Sequence, residues 1–209
     1  MKKNKLVLIG AGGHARSCID VIEQEDKYEI CGLVGLSQEV GSEQFGYEVL
    51  ANDSGLDELA KRFPFALVVL GQIHSPDLRI RLYEESIAAG FTLPSIIAPS
   101  AYVSPHAKIG AGTIVMQGAI LNTGVVVGDN CIINSRALLE HDSRISDHCH
   151  VSTGAIINGD TFIGTGSFIG SGAVIKEGVS VGVGSVVGMG VALRHNLAAG
   201  SKYLGEVNL

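Results

Sequence analysis

Three histidines and a cysteine lie close together in the segment LLEHDSRISDHCHV, residues 138–151. They are His141, His148, Cys149 and His150, with acidic residues between them. Imidazole and thiolate groups bind zinc when three or four of them converge at bonding distance. A single imidazole that is oriented by a carboxylate can instead act as a general base. The choice depends on which of these side chains share a face of the fold.

The sequence around this segment repeats with a period of six residues. An aliphatic residue recurs at every sixth position from Ile97 to Leu193, seventeen times without a gap. Two residues before each of them stands Ser, Ala, Thr, Val or Cys, and nothing larger. This period is typical of a parallel β-helix, in which each hexad forms one short strand and one corner. Three hexads then close one triangular coil, with the aliphatic side chains stacked inside.

The register of the repeat separates the candidate metal ligands from one another. Cys149 occupies the small inward position, so we expect it in the core. Strand alternation points its neighbours His148 and His150 outward. His141 falls at a corner, and the spacings of seven and two residues between the three histidines do not suit a three-histidine zinc site. We therefore predict no metal cofactor.

The corner at His141 has the parts that an acyl transfer requires. Asp142 can orient the imidazole and raise its basicity. Gly159 lies one coil later and can offer a backbone N–H to a developing oxyanion. The residues alone argue against metal chemistry at this corner, but they leave open whether His141 is a general base or an exposed corner histidine without a catalytic role.

Residues 1–92 follow a different pattern, in which strand and helix signals alternate. The apolar run KLVLIG is followed by GAGGHA, where Gly10, Gly12 and Ala15 fit the motif G-x-G-x-x-A. This motif lets the backbone approach a pyrophosphate at a helix N-terminus. We predict a small α/β domain, Rossmann-like, with a parallel sheet.

Other signals in this first half concern its ligands and its helix ends. The second strand, YEICGLV, is followed by Gly35 and Leu36 rather than by the acid that a dinucleotide needs, so we reject NAD. Ser54 and Asp57 predict a reciprocal cap for a short helix. His74 and Arg79, at the start of the next helix, are candidate substrate contacts near the crevice of the sheet.

The composition excludes several classes of protein. A net charge of -6 without a cluster of Lys and Arg argues against a nucleic-acid partner. No apolar run is long enough to insert into a membrane, and the apolar stretch near the start is too short for a signal peptide. The 4 cysteines show no paired spacing, which favours reduced thiols. We expect a cytoplasmic protein.

The repeat over residues 96–195 resembles that of the left-handed β-helix acyltransferases, the hexapeptide-repeat family. Within it, INSRALLEHDSRISDHCHVSTGAIING looks like the branch that contains the bacillosamine-type UDP-4-amino-sugar N-acetyltransferases and the sialic-acid O-acetyltransferases. The resemblance implies a left-handed coil, a homotrimer and acetyl-CoA as cosubstrate. It also implies a nucleotide-sugar binding domain at 1–92 and an acyltransferase β-helix with a short tail at 93–209.

The same resemblance implies roles for individual residues. His141 would be the general base, and Asp142 would polarise its imidazole. The residues implied in binding the nucleotide sugar are Gly12, Gly13, His14, Gly71 and Asn134. The residues implied in binding acetyl-CoA are His150, Ser171, Gly188 and Met189.

The sequence thus predicts an acetyl-CoA-dependent N-acetyltransferase acting on the 4-amino group of a nucleotide-linked amino-deoxy sugar. We expect a bacillosamine-type, UDP-linked sugar destined for bacterial surface glycans. The alternatives are O-acetylation of a sialic or related nonulosonic acid, a metal-dependent β-helix enzyme and a non-catalytic sugar-nucleotide binder. Gly35 and Leu36 replace the Asp residues usual in relatives, and the tail lacks their Gly-x-Pro-Ala-Lys loop over CoA. The nucleotide, the acyl chain length and the clamping of CoA therefore stay open.

Overall fold

The first part of the chain is a three-layer α/β domain. The structure is a computed structural model that describes residues 3–205, so the outermost ends of the two predicted domains, residues 1–2 and 206–209, lie outside the described residues. The elements of this part are β1 (Asn4–Ile9), α1 (Gly13–Glu25), β2 (Tyr28–Val34), β3 (Glu43–Gln44), β4 (Tyr47–Ala51), α2 (Leu56–Ala60), β5 (Phe65–Val68) and α3 (Asp77–Ala88).

The sheet of this domain has the strand order β3-β4-β2-β1-β5. All its pairs are parallel except the hairpin of β3 and β4. β1 is buried on both faces, because Leu6 and Leu8 pack in the cluster that contains α1, while Val7 and Ile9 pack in the cluster that contains α2 and α3. The continuous apolar run of β1 is the pattern that a central parallel strand requires.

Two local details of this domain differ from the sequence prediction. The turn before α2 is capped by Asn52, whose side chain accepts from the N–H of Ser54 at 3.2 Å, so the predicted reciprocal cap by Ser54 and Asp57 is wrong. The hairpin of β3 and β4 had no sequence signal strong enough to predict it. It returns the chain to the sheet edge beside β2.

The second part of the chain is a parallel β-helix, which confirms the predicted fold class. Each strand has two residues, and the second residue of seventeen of them is the repeating aliphatic residue. The strands are β6 (Ile96–Ile97), β7 (Tyr102–Val103), β8 (Lys108–Ile109), β9 (Ile114–Val115), β10 (Ile120–Leu121), β11 (Val126–Val127), β12 (Ile132–Ile133), β13 (Leu138–Leu139), β14 (Arg144–Ile145), β15 (His150–Val151), β16 (Ile156–Ile157), β17 (Phe162–Ile163), β18 (Phe168–Ile169), β19 (Val174–Ile175), β20 (Ser180–Val181), β21 (Val186–Val187), β22 (Ala192–Leu193) and β23 (Lys202–Tyr203).

These strands form the three faces of the prism. Face 1 contains β6 and every third strand after it up to β21, followed by β23. Face 2 contains every third strand from β7 to β22, and face 3 contains every third strand from β8 to β20. Cys149 is fully buried inside the prism, as predicted, and so is Ser143 in the same inward position of the preceding hexad.

From Gly112 to Gly190, each corner of the prism turns through one residue in the left-handed backbone region. This residue stands three positions after the aliphatic one and is mostly Gly, Asn or Asp, the types that tolerate a positive φ. Asp142 has this role with a φ of 61°. The repeat therefore fixes the backbone of the predicted catalytic corner.

The α/β domain packs on face 1 of the β-helix. The outward residues Ile96, Ile114 and Ile132 of this face are buried in the same cluster as α1. Face 2 keeps an apolar outward column without such a cover, since Tyr102 is 56% and Ile120 40% exposed. No helix within residues 3–205 has the length and hydrophobicity to cross a membrane.

Candidate active site

His141 lies at the corner between faces 2 and 3, directly after β13 and Glu140. Its Nδ1 is 3.0 Å from Oδ2 of Asp142. A carboxylate only accepts hydrogen bonds, so Nδ1 carries the proton and Nε2 keeps a free lone pair. An exposed imidazole in this tautomer is positioned to take a proton from a bound acceptor.

Two glycines leave room for this pair of side chains. A Cβ on Gly159 would lie 2.7 Å from Nε2 of His141, and a Cβ on Gly124 would collide with the carboxylate of Asp142. The N–H of Asp160 donates to the His141 carbonyl, which stacks the two corners. The N–H of Gly159 itself has no protein acceptor among residues 3–205, so it is free to meet a ligand.

The surroundings of His141 carry negative charge. The cavity beside it, which we name the His141 cavity, has a volume of about 540 Å³. Its acidic lining residues are Glu140, Asp160 and Glu177. This environment favours a cationic or neutral group over an anionic one at the position next to His141.

Most of the other predicted ligand residues meet in a second cavity between the α/β domain and the β-helix, which we name the interdomain cavity. Its volume is about 650 Å³. Among the residues that line it are His14, Gly71, Asn134, His150, Ser171, Gly188 and Met189, seven of the residues predicted to bind the sugar or CoA. The remaining two, Gly12 and Gly13, line a third cavity of about 410 Å³ at the carboxyl ends of β1 and β2, the N-terminal cavity, together with His14 and Gly71.

His150 is a structural centre of the interdomain cavity. It is 6% exposed, and its Nδ1 donates to the Gln72 carbonyl at 2.6 Å. Its Nε2 therefore accepts from Nδ2 of Asn134 at 3.2 Å. Burial lowers the pKa of His150 to about 4, helped by the charge of Arg79 and opposed by the bond to the Gln72 carbonyl. The neutral ring thus fixes the amide of Asn134, whose Oδ1 is held by the N–H of Ser135.

His14 stands beside His150, with 6.4 Å between the ring centroids. Burial, with smaller contributions from Arg79 and His150, lowers its pKa to about 3. Its Nε2 is buried and has no partner among the described residues. Both histidines of this cavity are therefore neutral binding groups at physiological pH.

Arg79 is buried between the two domains and lines none of these three cavities, which argues against the predicted substrate contact. It is 1% exposed and donates to the carbonyls of Val68 and Leu70 on one side. On the other side it donates to the carbonyl and to Oδ1 of Asn130, in a corner of the β-helix. Burial lowers its pKa to about 10, which leaves it charged. Its role is to join the two domains.

Gln72 is a second joining residue that the sequence did not reveal. Its side-chain amide donates to the carbonyls of His148 and Gly166, at 3.0 and 3.3 Å. The sequence carries no local signal for it, because its partners are more than seventy residues away along the chain. Lys202 and Phe168 also line the interdomain cavity without having been predicted.

The structure does not bring the predicted base and the predicted binding residues together in one chain. Asn134 lies at the corner between faces 1 and 2, and His141 at the corner between faces 2 and 3, so one face separates them. No group of three or more potential metal ligands is found within residues 3–205.

Two family models match the chain. Residues 5–85 match the PglD N-terminal domain, and residues 106–141 match the bacterial transferase hexapeptide, which has six repeats. No curated protein gives a significant match.

Many solved structures match over nearly the whole length. PerB from Caulobacter crescentus, solved with CoA and GDP-perosamine, is 30% identical with a TM-score of 0.91, over 97% of this chain and 94% of that chain. The acetyltransferase domain of PglB from Neisseria gonorrhoeae, solved with acetyl coenzyme A, is 32% identical with a TM-score of 0.89, over 98% of this chain and 97% of that chain. Histidine variants of perosamine N-acetyltransferase from Caulobacter crescentus are 29% identical to this chain, and they also match with a TM-score of 0.91.

Proposed function

Because the chain belongs to the family of left-handed β-helix acetyltransferases that includes these two proteins, we propose that it acetylates the 4-amino group of a nucleotide-linked amino-deoxy sugar, with acetyl-CoA as donor. The observation that carries the proposal is the His141–Asp142 pair above Gly159, at a corner open to a ligand. A bacillosamine-type, UDP-linked sugar for surface glycans remains our prediction, beside GDP-linked sugars such as the ligand of PerB. A reaction that consumes acetyl-CoA supports the predicted cytoplasmic location.

The proposed reaction is a direct attack on the thioester. Nε2 of His141 takes a proton from the sugar amine as its nitrogen bonds to the acetyl carbonyl carbon. The negative charge that develops on the carbonyl oxygen is stabilised by the N–H of Gly159. Collapse of the intermediate breaks the carbon–sulfur bond, and CoA leaves as a thiolate that receives the proton from His141.

Charge favours N-acetylation over the rival O-acetylation of a sialic acid. A nonulosonic acid carries a carboxylate, which the acids around His141, namely Glu140, Asp160 and Glu177, would repel. The reacting end of a nucleotide-linked 4-amino sugar carries an amine instead, neutral in the form that attacks, which these acids do not repel.

We further propose that the active site forms between chains of a homotrimer. The binding residues and His141 flank the same face 2, whose outward column is apolar and partly exposed. An uncovered apolar face on a β-helix is suited to packing against a second copy. Such packing would place the His141 corner of one chain opposite the interdomain cavity of its neighbour.

The test is release of CoA thiol from acetyl-CoA, with mass spectrometry of the product. The acceptors are UDP-, GDP- and dTDP-linked 4-amino sugars, free sialic acid and CMP-sialic acid. We expect turnover only with a 4-amino nucleotide sugar, and a fall in kcat of about 10²–10⁴-fold in His141→Ala, the usual contribution of a general base. His106→Ala, at an exposed position of the first coils, is the matched control.

Each rival function predicts a different outcome of this assay. Turnover only with sialic acids would replace the proposal by O-acetylation. Binding of a nucleotide sugar without CoA release would indicate a non-catalytic binder. Activity that needs added zinc and disappears with a chelator would indicate the metal-dependent enzyme.

A further inference from the structure

An acid occupies the end of β2 although the residues that follow this strand, Gly35 and Leu36, are not acidic. It is Glu39, brought back by the short 3₁₀ turn Ser37–Glu39. We propose that Glu39 accepts hydrogen bonds from the ribose hydroxyls of the nucleotide and so makes the protein selective for a ribonucleotide over its 2′-deoxy counterpart. This inference rests on the proposed function, since it concerns the nucleotide of the same substrate.

The geometry of the turn fixes the Glu39 carboxylate over Gly35. Oε2 of Glu39 accepts from the N–H of Leu36 at 2.7 Å. A Cβ on Gly35 would lie 2.7 Å from that same oxygen. The carboxylate therefore fills the space that the side chain of an acid at position 35 would occupy. The glycine is what allows an acid four residues later to take this place.

The position of this carboxylate matches the ribose site of a nucleotide-binding α/β fold. In such folds the turn after the first strand holds the pyrophosphate, and an acid at the end of the second strand bonds the ribose. Glu39 and the turn from Gly10 to His14 line the same N-terminal cavity. Apart from the chain neighbours and the backbone of α1, no protein atom lies within 4 Å of a Cβ built on Gly12 or Gly13, so the turn is open to a ligand.

The sheet provides a site for one nucleotide rather than two. A dinucleotide-binding fold has two mononucleotide halves on either side of its first strand. Here β1 has β2, β4 and β3 on one side and only β5 on the other. The acid at the end of β2 is therefore consistent with binding of a single nucleoside diphosphate, and it does not indicate an NAD site.

Glu39 is the acid of this cavity whose carboxylate remains available. The other acid, Asp53, is engaged by Arg81, with 3.1 Å between Oδ2 and the guanidinium. For Oε1 of Glu39, the described part of the chain contributes no donor. Oε2 is anchored and Oε1 is free, which is the arrangement that can accept from a hydroxyl in a fixed direction.

Calorimetric titration of the full-length protein tests the proposal. The ligands are UDP and GDP, each with its 2′-deoxy counterpart, and the variants are Glu39→Gln and Glu43→Gln. Glu43 is exposed in the nearby hairpin, does not line the cavity and loses the same charge, so it is the matched control. We expect the wild type and the control to bind the ribonucleotide about tenfold more tightly than the deoxy form, the value of one charge-assisted hydrogen bond. In Glu39→Gln this ratio should fall towards one.

The ratio separates recognition from a merely structural role. If Glu39 only stabilised the 3₁₀ turn, its replacement would weaken both forms alike and leave the ratio unchanged. An unchanged ratio in Glu39→Gln would overturn the proposal. So would equal binding of both forms by the wild type, or no binding of any nucleotide. The proposed acetyl transfer has its own test. It fails if the protein binds a nucleotide but releases no CoA from acetyl-CoA when the corresponding 4-amino nucleotide sugar is added.

Discussion

At the scale of single residues, His141 depends on neighbours that have almost no side chain. Gly124 and Gly159 lie one coil before and one coil after it, and each leaves the space that the Asp142 carboxylate or the imidazole fills. The six-residue repeat places these glycines in register with the histidine. The imidazole of the proposed base is thus oriented by the Asp142 carboxylate and bounded by backbone.

This arrangement predicts the effect of Gly159→Ala. The added methyl group would lie 2.7 Å from Nε2 and Cε1 of His141, so the ring must turn away from its present position. We expect kcat to fall by about 10²-fold, in the range lost when a general base is misplaced. The fold should tolerate the change, since Gly159 does not have a positive φ.

A double variant decides whether Gly159 acts through His141. If the methyl group acts by displacing the ring, Gly159→Ala combined with His141→Ala should be no slower than His141→Ala alone. Steady-state kinetics and melting temperatures of the three variants give the answer. Wild-type kcat in Gly159→Ala would contradict the close packing of the His141 ring on Gly159.

At the scale of elements, the junction of the two domains is built from groups that are far apart in sequence. The end of β5 and the residues just after it supply carbonyls to Arg79 and His150, and Gln72 reaches two corners of the β-helix. These contacts position Gly71, which lines both the interdomain and the N-terminal cavity. The junction therefore links the two proposed binding regions mechanically.

The junction also predicts how stability depends on pH. His14 and His150 have pKa values lowered to about 3 and about 4, whereas unfolded histidines titrate near 6.5. Below 6.5 the unfolded chain binds protons that the folded chain does not, so acid favours unfolding. The stability that these rings contribute is complete above 6.5 and is lost as the pH falls towards 4. For His150 the loss between about pH 7 and pH 5 is about 2 kcal/mol.

Denaturant unfolding of the wild type and of His150→Gln at these two pH values measures this contribution. The glutamine variant should be less stable at neutral pH but should lose less stability on acidification. His106→Gln, at an exposed site distant in sequence, is the matched control. An equal acid loss in the wild type and His150→Gln would show that His150 is not the linked group.

The sequence predicted the elements unequally, for physical reasons. The repeat from Ile97 to Leu193 predicted the strands β6 to β22, because each hexad obeys the same local rule of burial, but it did not predict β23. The inward position of Cys149 followed from that rule. The contacts of Arg79 and the approach of Glu39 to Gly35 could not be predicted, because they depend on how separate turns and domains meet.

At the scale of the whole molecule, one chain holds two incomplete halves of the proposed active site. The proposed base, His141, and the predicted acceptor contact, Asn134, lie at opposite corners of face 2. If the site forms between chains, each site takes its base from one chain and its binding residues from the next. A C3 trimer of this kind would contain three equivalent sites.

Mixing two inactive variants tests this arrangement. His141→Ala keeps an intact binding cavity, and Asn134→Ala keeps an intact base. In a C3 trimer that contains both variants, one of the three sites combines the two intact halves, so purified mixed trimers should recover about a third of wild-type activity. Co-expression with two affinity tags isolates the mixed trimers, and light scattering gives their mass. If mixed trimers recover no activity, both residues belong to a site within one chain. If light scattering shows a monomer, the proposed interface on face 2 is wrong.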